Sequence, residues 1–138
     1  MNHDEIEWVL PELVHMVHAA QLAQLAQLAE HGGGEGIRDT GRLDSALNRP
    51  KQFCEYGGGN VDLCQLAAAY AFGLAKNHPF IDRNKRTAVI TCELFLNLNG
   101  LVFNITETEK YPHYLSLAAG EHSEESFTAW LRTVTEDT

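Results

Sequence analysis

The chain has 138 residues, of which 44% are apolar and 21% charged, a length that fits one domain spanning 1–138 and a composition too apolar for disorder. Its longest uninterrupted apolar run, Leu66 to Ala75, is about half of what a bilayer-crossing helix needs. The first ten residues carry Asp4, Glu5 and Glu7 but no basic residue, the reverse of a signal peptide, so a cytoplasmic protein without membrane association is expected.

The net charge of −9 is unevenly spread. Residues 1–37 hold six acids and no Lys or Arg, and residues 87–138 hold eight acids with only Lys110 and Arg132. Eight of the ten basic residues fall in 38–86. A mostly acidic body with a local basic focus argues against direct nucleic-acid binding and suits a small anion such as a nucleotide phosphate. A solvated charged loop would give the same charge pattern.

In chain order, 12–30 reads as a long helix stopped by His31-Gly32-Gly33-Gly34. Three tandem Gln-Leu-Ala units at 21–29 drift around a 3.6-residue helix, which lengthens it without making a coiled-coil seam. A short helix over 42–47 is expected to end before Pro50, leaving 49–60 as a loop or small hairpin. Asn60 is placed to cap a helix running to Lys76. The next helix, 84–99, is apolar nearly all round, from Ala88 to Leu98, and is expected at the centre of the fold, with Gly100 as its stop. Residues 101–105 look extended. Thr106 and Glu109 have capping-box spacing before a helix to Ala119, and Ser123 is placed to cap a last helix to Val134. The architecture is all-α, a compact helical bundle with at most a small β-hairpin.

Cys54, Cys64 and Cys92 are odd in number and lack C-x-x-C spacing, which speaks against a disulfide framework or structural zinc. His15 and His18 could share a helix face, but no recognisable ligand spacing surrounds any of the seven histidines, and no dedicated transition-metal site is expected.

The segment His78-Pro79-Phe80-Ile81-Asp82-Arg83-Asn84-Lys85-Arg86 is different in kind. Pro79 disfavours helical geometry at His78, and Phe80 can pin the segment to the core. Asn84 stands at a helix start, where free backbone N–H groups, the helix dipole, Lys85 and Arg86 together suit phosphate. Asp82 suits a Mg²⁺ ion carried by a nucleotide such as ATP. A neutral His78 can take a proton from an incoming hydroxyl. Each residue has a plainer role: a satisfied buried histidine, a cap, a solvated first turn. Their concentration in one short stretch favours a site.

This stretch resembles the signature of the Fic superfamily, H-P-F-x-[D/E]-G-N-[G/K]-R, through His78, Pro79, Phe80, Asp82, Asn84, Lys85 and Arg86, followed by Thr87 and Ala88. Lys85 is similar to the death-on-curing, or Doc, branch. The resemblance continues upstream in Gly36-Ile37-Arg38-Asp39, Gly41, Leu43, Ser45-Ala46-Leu47 and Arg49-Pro50, and downstream in Phe95-Leu96-x-x-Asn99-Gly100, covering about 15–105. It implies a small helical toxin that transfers the terminal phosphate of ATP to a threonine of elongation factor Tu and is held in check by a cognate antitoxin. Its site residues here are His78 as base, Asp82 as Mg²⁺ ligand, and Asn84, Lys85 and Arg86 on the phosphates; Arg83, a cation beside them, is a further candidate for binding the nucleotide.

Three positions depart from the adenylylating members of the superfamily. Arg83 stands in place of Gly or a small residue, where a long cation either grips phosphate or blocks it. Lys85 replaces Gly, and Val89 replaces a second Arg, which leaves fewer groups for the β- and γ-phosphates in the adenylylating orientation. Some superfamily members carry an inhibitory [S/T]-x-x-x-E-[G/N] helix. No Glu here has Ser or Thr four residues before it, so inhibition is expected from another chain. The competing readings are a nucleotidyl (AMP) transferase, disfavoured by Lys85 and Val89, and a catalytically silent interaction module, which has no need of this polar set. A nuclease is weakened by the acidic ends and the missing aromatic-basic stripe.

Overall fold

The computed structural model describes residues 6–27, 40–57, 61–77 and 84–138. In chain order these form α1 (Pro11–Gln27), α2 (Thr40–Tyr56), α3 (Leu63–Asn77), α4 (Asn84–Leu98), β1 (Leu101–Phe103), α5 (Glu107–Ala118), α6 (Glu124–Val134) and β2 (Thr135–Asp137). The fold is all-α with one small antiparallel sheet, as expected. Among the described residues no helix is long and apolar enough to cross a membrane.

The central helix is α3, not α4. Every residue from Leu66 to Ala75 is buried, because α2, α4 and α6 all pack around α3. Helix α4 buries Ala88, Cys92, Phe95 and Leu96 on one face, while Val89, Ile90 and Leu94 are half-buried and Leu98 is exposed. An apolar sequence all round therefore overstated its burial. Small residues explain the choice: Ala67, Ala68, Ala69, Ala71 and Gly73 let neighbouring helices approach α3 from several sides. Tyr70, fully buried in α3, keeps its hydroxyl satisfied by accepting the N–H of Val9 at 3.1 Å, and burial pushes its phenol up to about 12.

The second correction concerns Pro50. The expected break there, and the loop or hairpin over 49–60, are replaced by a helix that runs on to Tyr56. A proline inside a helix removes the bond to the carbonyl four residues back, here Ala46. Burial offsets that loss, since Pro50, Leu47, Ala46 and Cys54 are all in the core, and Gly73 of α3 lies close against Ala46.

Asp62 caps α3: its Oδ1 accepts the Gln65 N–H at 2.8 Å, and its Oδ2 accepts Arg132 Nε at 2.7 Å. Asn60 lies outside the described residues, as do the end of the Gln-Leu-Ala repeat and the glycines after it. The other signals appear where the spacing puts them. Gly100 has φ +86 at the end of α4, Thr106 Oγ1 accepts the Glu109 N–H at 3.2 Å, and Ser123 Oγ accepts the Ser126 N–H at 3.0 Å.

The sheet is not a hairpin. β1 pairs with β2 in the register Leu101↔Asp137, Val102↔Glu136, Phe103↔Thr135, so α5 and α6 lie between its strands and the C-terminal end of the described chain is tied to the exit of α4. On the other side of that exit, Asn99 treats Glu7 as a strand neighbour would, accepting its N–H at 2.8 Å and donating to its carbonyl at 2.9 Å.

Candidate active site

The signature segment joins the two helices at the middle of the fold, since α3 ends at Asn77 and α4 begins at Asn84. His78, Asp82 and Arg83 lie outside the described residues, together with the expected pinning by Phe80. Asn84 opens α4 and Lys85 follows it in the first turn, which contains no acidic residue. The first backbone N–H groups of a helix have no intrahelical partner, and here they stand at the positive end of a 15-residue dipole. Arg86, the last cation of the signature, is exposed.

Arg86 lines a cleft of about 560 Å³ with Val89, Ile90 and Glu93 of α4 and with Glu107, Thr108, Tyr111 and Tyr114 of α5. The α4 members are spaced i, i+3, i+4 and i+7, which is one helical face. The outward half of α4, freed from the core, thus becomes a wall of the cleft.

Under this wall is a charged network absent from the sequence reading. Lys110 Nζ bonds Glu107 at 2.7 Å and Glu93 at 3.0 Å, and it sits 4.4 Å from the centre of the Phe103 ring. Tyr114 donates its hydroxyl to Glu93. Lys110 is only 7% exposed. Burial alone would lower its pKa, but the hydrogen bonds and charges of Glu107 and Glu93 outweigh that and hold it above its ordinary value. Burial, then the bond to the Glu93 carboxylate, pushes the Tyr114 phenol well up. The capping-box spacing places Glu107 in the first turn of α5, but only tertiary packing brings Glu93 to the same lysine. On the inner face of α4, the hydroxyls of Thr87 and Thr91 are buried without a hydrogen-bond partner among the described residues.

A second cleft of about 530 Å³ lies at the end of α2, lined by Arg49, Phe53, Tyr56, Gly57, Val61 and others. Its cation is already engaged, because Arg49 is held by both oxygens of Glu124 at 2.6 and 3.0 Å. The cleft beside Arg86 includes the acid-free start of α4, with Glu93 and Glu107 also in its lining.

Comparison with known proteins identifies the family. A family model described as the Fic/DOC family matches residues 8–96, and the chain belongs to this family. Both relatives with a close match carry the Doc name. Over 74 residues the chain is 45% identical to "Toxin Doc" of Mycolicibacterium smegmatis, covering 51% of this chain and 54% of that protein. Over 103 residues it is 35% identical to "Protein kinase doc" of Escherichia phage P1, covering 74% of this chain and 79% of that protein. The chain thus spans about half the length of the first relative and about four-fifths of the second.

Proposed function

We propose that the protein is a Doc-type toxin kinase of the cytoplasm that moves the terminal phosphate of ATP onto a Ser or Thr hydroxyl of a translation factor, elongation factor Tu, and is neutralised by a separate antitoxin. The observation that carries this reading is the start of α4: an acid-free first turn, with Arg86 exposed and lining a cleft. Similarity to a phage protein named as a kinase supports it.

His78 takes the proton of the attacking hydroxyl. The oxygen then bonds to the terminal phosphorus, the bond to the bridging oxygen breaks, and ADP leaves. The role of Lys85, Arg86 and the free N–H groups after Asn84 is to stabilise the charge that spreads over the transferred phosphoryl group. Arg83 is a further cation of the signature assigned to the nucleotide. Mg²⁺ is held through one or two carboxylates and the nucleotide itself. The carboxylates that line the cleft, Glu93 and Glu107, are both bonded to Lys110, so Asp82 is the fitting ligand, and the ion would neutralise phosphate charge there. Val89 lies in the cleft wall where a second Arg would be needed for the adenylylating orientation, which favours phosphoryl over nucleotidyl transfer.

The test is incubation with a cytosolic extract and, separately, γ-labelled and α-labelled ATP. Label on a protein from the γ position alone is the expected result. Transfer of α label overturns the kinase reading in favour of nucleotidyl transfer.

A further inference from the structure

Away from the cleft, α5 meets the turn before α6 through a pair of histidines. His113 Nδ1 and His122 Nε2 are 3.3 Å apart. His122 Nδ1 is within hydrogen-bonding distance of Ser126 Oγ, and the Ser126 hydroxyl donates to the Ser123 carbonyl at 3.2 Å. A hydroxyl has one proton to give. Ser126 therefore accepts from His122 Nδ1–H, which leaves the lone pair of His122 on Nε2, facing His113. The His113 ring is stacked on Trp130, with centroids 4.1 Å apart and planes at 13°, and Phe127 packs edge-on against His122. Both rings are half-buried and held in orientation before any ligand arrives.

From this geometry we infer that His113 and His122 form a two-histidine binding site for a divalent transition ion of the zinc type. Two imidazole nitrogens bound at about 2.0–2.1 Å in a tetrahedral shell are roughly 3.3–3.4 Å apart, which the pair already matches. A metal-bound histidine commonly donates its other N–H to a fixed acceptor, and Ser126 supplies that acceptor for His122. On binding, His113 moves its proton from Nδ1 to Nε2 and presents the Nδ1 lone pair, with no net proton release. Among the described residues no group of three or more His, Cys, Asp or Glu converges on an ion, so water completes the shell. Imidazole ligands select zinc, copper or nickel over the oxygen-seeking Mg²⁺, which makes this ion separate from the nucleotide's. It would clip α5 to the start of α6. The two histidines are nine residues apart, a separation that carries no ligand spacing in sequence.

The test is calorimetric titration of the full chain with Zn²⁺ in the absence of nucleotide. We expect one site that weakens about tenfold or more in Ser126→Ala and is lost in His113→Ala and in His122→Ala. Equal binding by both histidine variants, or no binding by the wild type at millimolar Zn²⁺, overturns the proposal. A second readout needs no histidine variant. In Trp8→Phe, Trp130 is the sole tryptophan, and Cu²⁺ bound to His113 should quench its fluorescence until a chelator restores it. Unquenched Trp130 at saturating Cu²⁺ refutes the site.

Discussion

Gly73 of α3 lies directly against the main chain of Ala46 in α2: a Cβ built on Gly73 would stand 3.2 Å from the Ala46 carbonyl oxygen and 3.3 Å from its Cα. Ala46 is also the residue whose carbonyl loses its helical partner to Pro50, so this close approach of the two helices falls where α2 is one bond short. We predict that Gly73→Ala destabilises by about 1 kcal/mol, the overpacking cost of about 1–3 kcal/mol exceeding the gain of about 1 kcal/mol from removing a helical glycine. Gly73→Val should cost more. Urea denaturation measures both, and a stabilised Gly73→Ala would mean that α2 yields.

Removing Glu93 should expose how much the charged network under the cleft contributes. Glu93→Ala leaves the buried Lys110 with only Glu107 and strands the Tyr114 hydroxyl. Breaking a buried ion pair costs about 3–5 kcal/mol, and the remaining Glu107 contact should reduce this to about 2 kcal/mol. A loss under about 0.5 kcal/mol in chemical denaturation would show that solvent replaces the carboxylate without penalty.

Asp62 gives a pH signature. Burial raises its pKa, but the hydrogen bonds from Arg132 and the Gln65 N–H outweigh this and leave it below the ordinary value. A carboxyl depressed in the folded state stabilises above its unfolded pKa of about 3.9, and that stabilisation is lost as pH falls through the folded pKa. Asp62→Asn keeps a good helix cap but removes the charge. At pH 7 it should be less stable by up to about 1 kcal/mol, the range for a half-exposed pair. The gap between the two proteins should close as pH is lowered below 4. A constant gap across the titration would contradict the ion-pair account.

Thr91 is fully buried with an unpartnered hydroxyl. Exchanging that hydroxyl for a methyl of similar shape removes an unpaid desolvation, so Thr91→Val should stabilise by about 1 kcal/mol. Thermal unfolding at fixed pH is sufficient to check it, and a destabilised variant would show that the hydroxyl has a bonding partner in solution.

Two variants separate the proposed chemistry from structure. His78→Ala should lower phosphoryl transfer by about 10² to 10⁴ for loss of a general base, with circular dichroism unchanged. Lys85→Ala should lose about 3 to 4 kcal/mol of transition-state stabilisation. Lys85→Gly should not gain nucleotidyl transfer, since Val89 still offers no guanidinium. Intact-mass spectrometry of the target distinguishes the two adducts. Undiminished phosphorylation by either alanine variant would remove that residue from its assigned role.

The local signals in the sequence were reliable where a single side chain acts on its own neighbourhood. Thr106 and Ser123 cap their helices, Gly100 takes the positive φ that ends α4, and α3 to α6 begin and end close to where apolar periodicity puts them. The signature from His78 to Arg86 is likewise local, and the family it resembles is the one whose model matches the chain. Wherever two distant segments had to be weighed against each other, only the tertiary structure decided. Pro50 reads as a break because its lost hydrogen bond is local, while the burial that keeps α2 intact comes from α3. Helix α4 reads as central because apolarity alone does not say which face finds a partner, and the small residues of α3 allow it to be surrounded instead. Thr135–Asp137 gives no strand signal by itself and becomes one by pairing with β1. Lys110 joins Glu93, and His113 meets His122, for the same reason: such pairs are set by packing across the fold, and their energy depends on burial that no stretch of sequence contains.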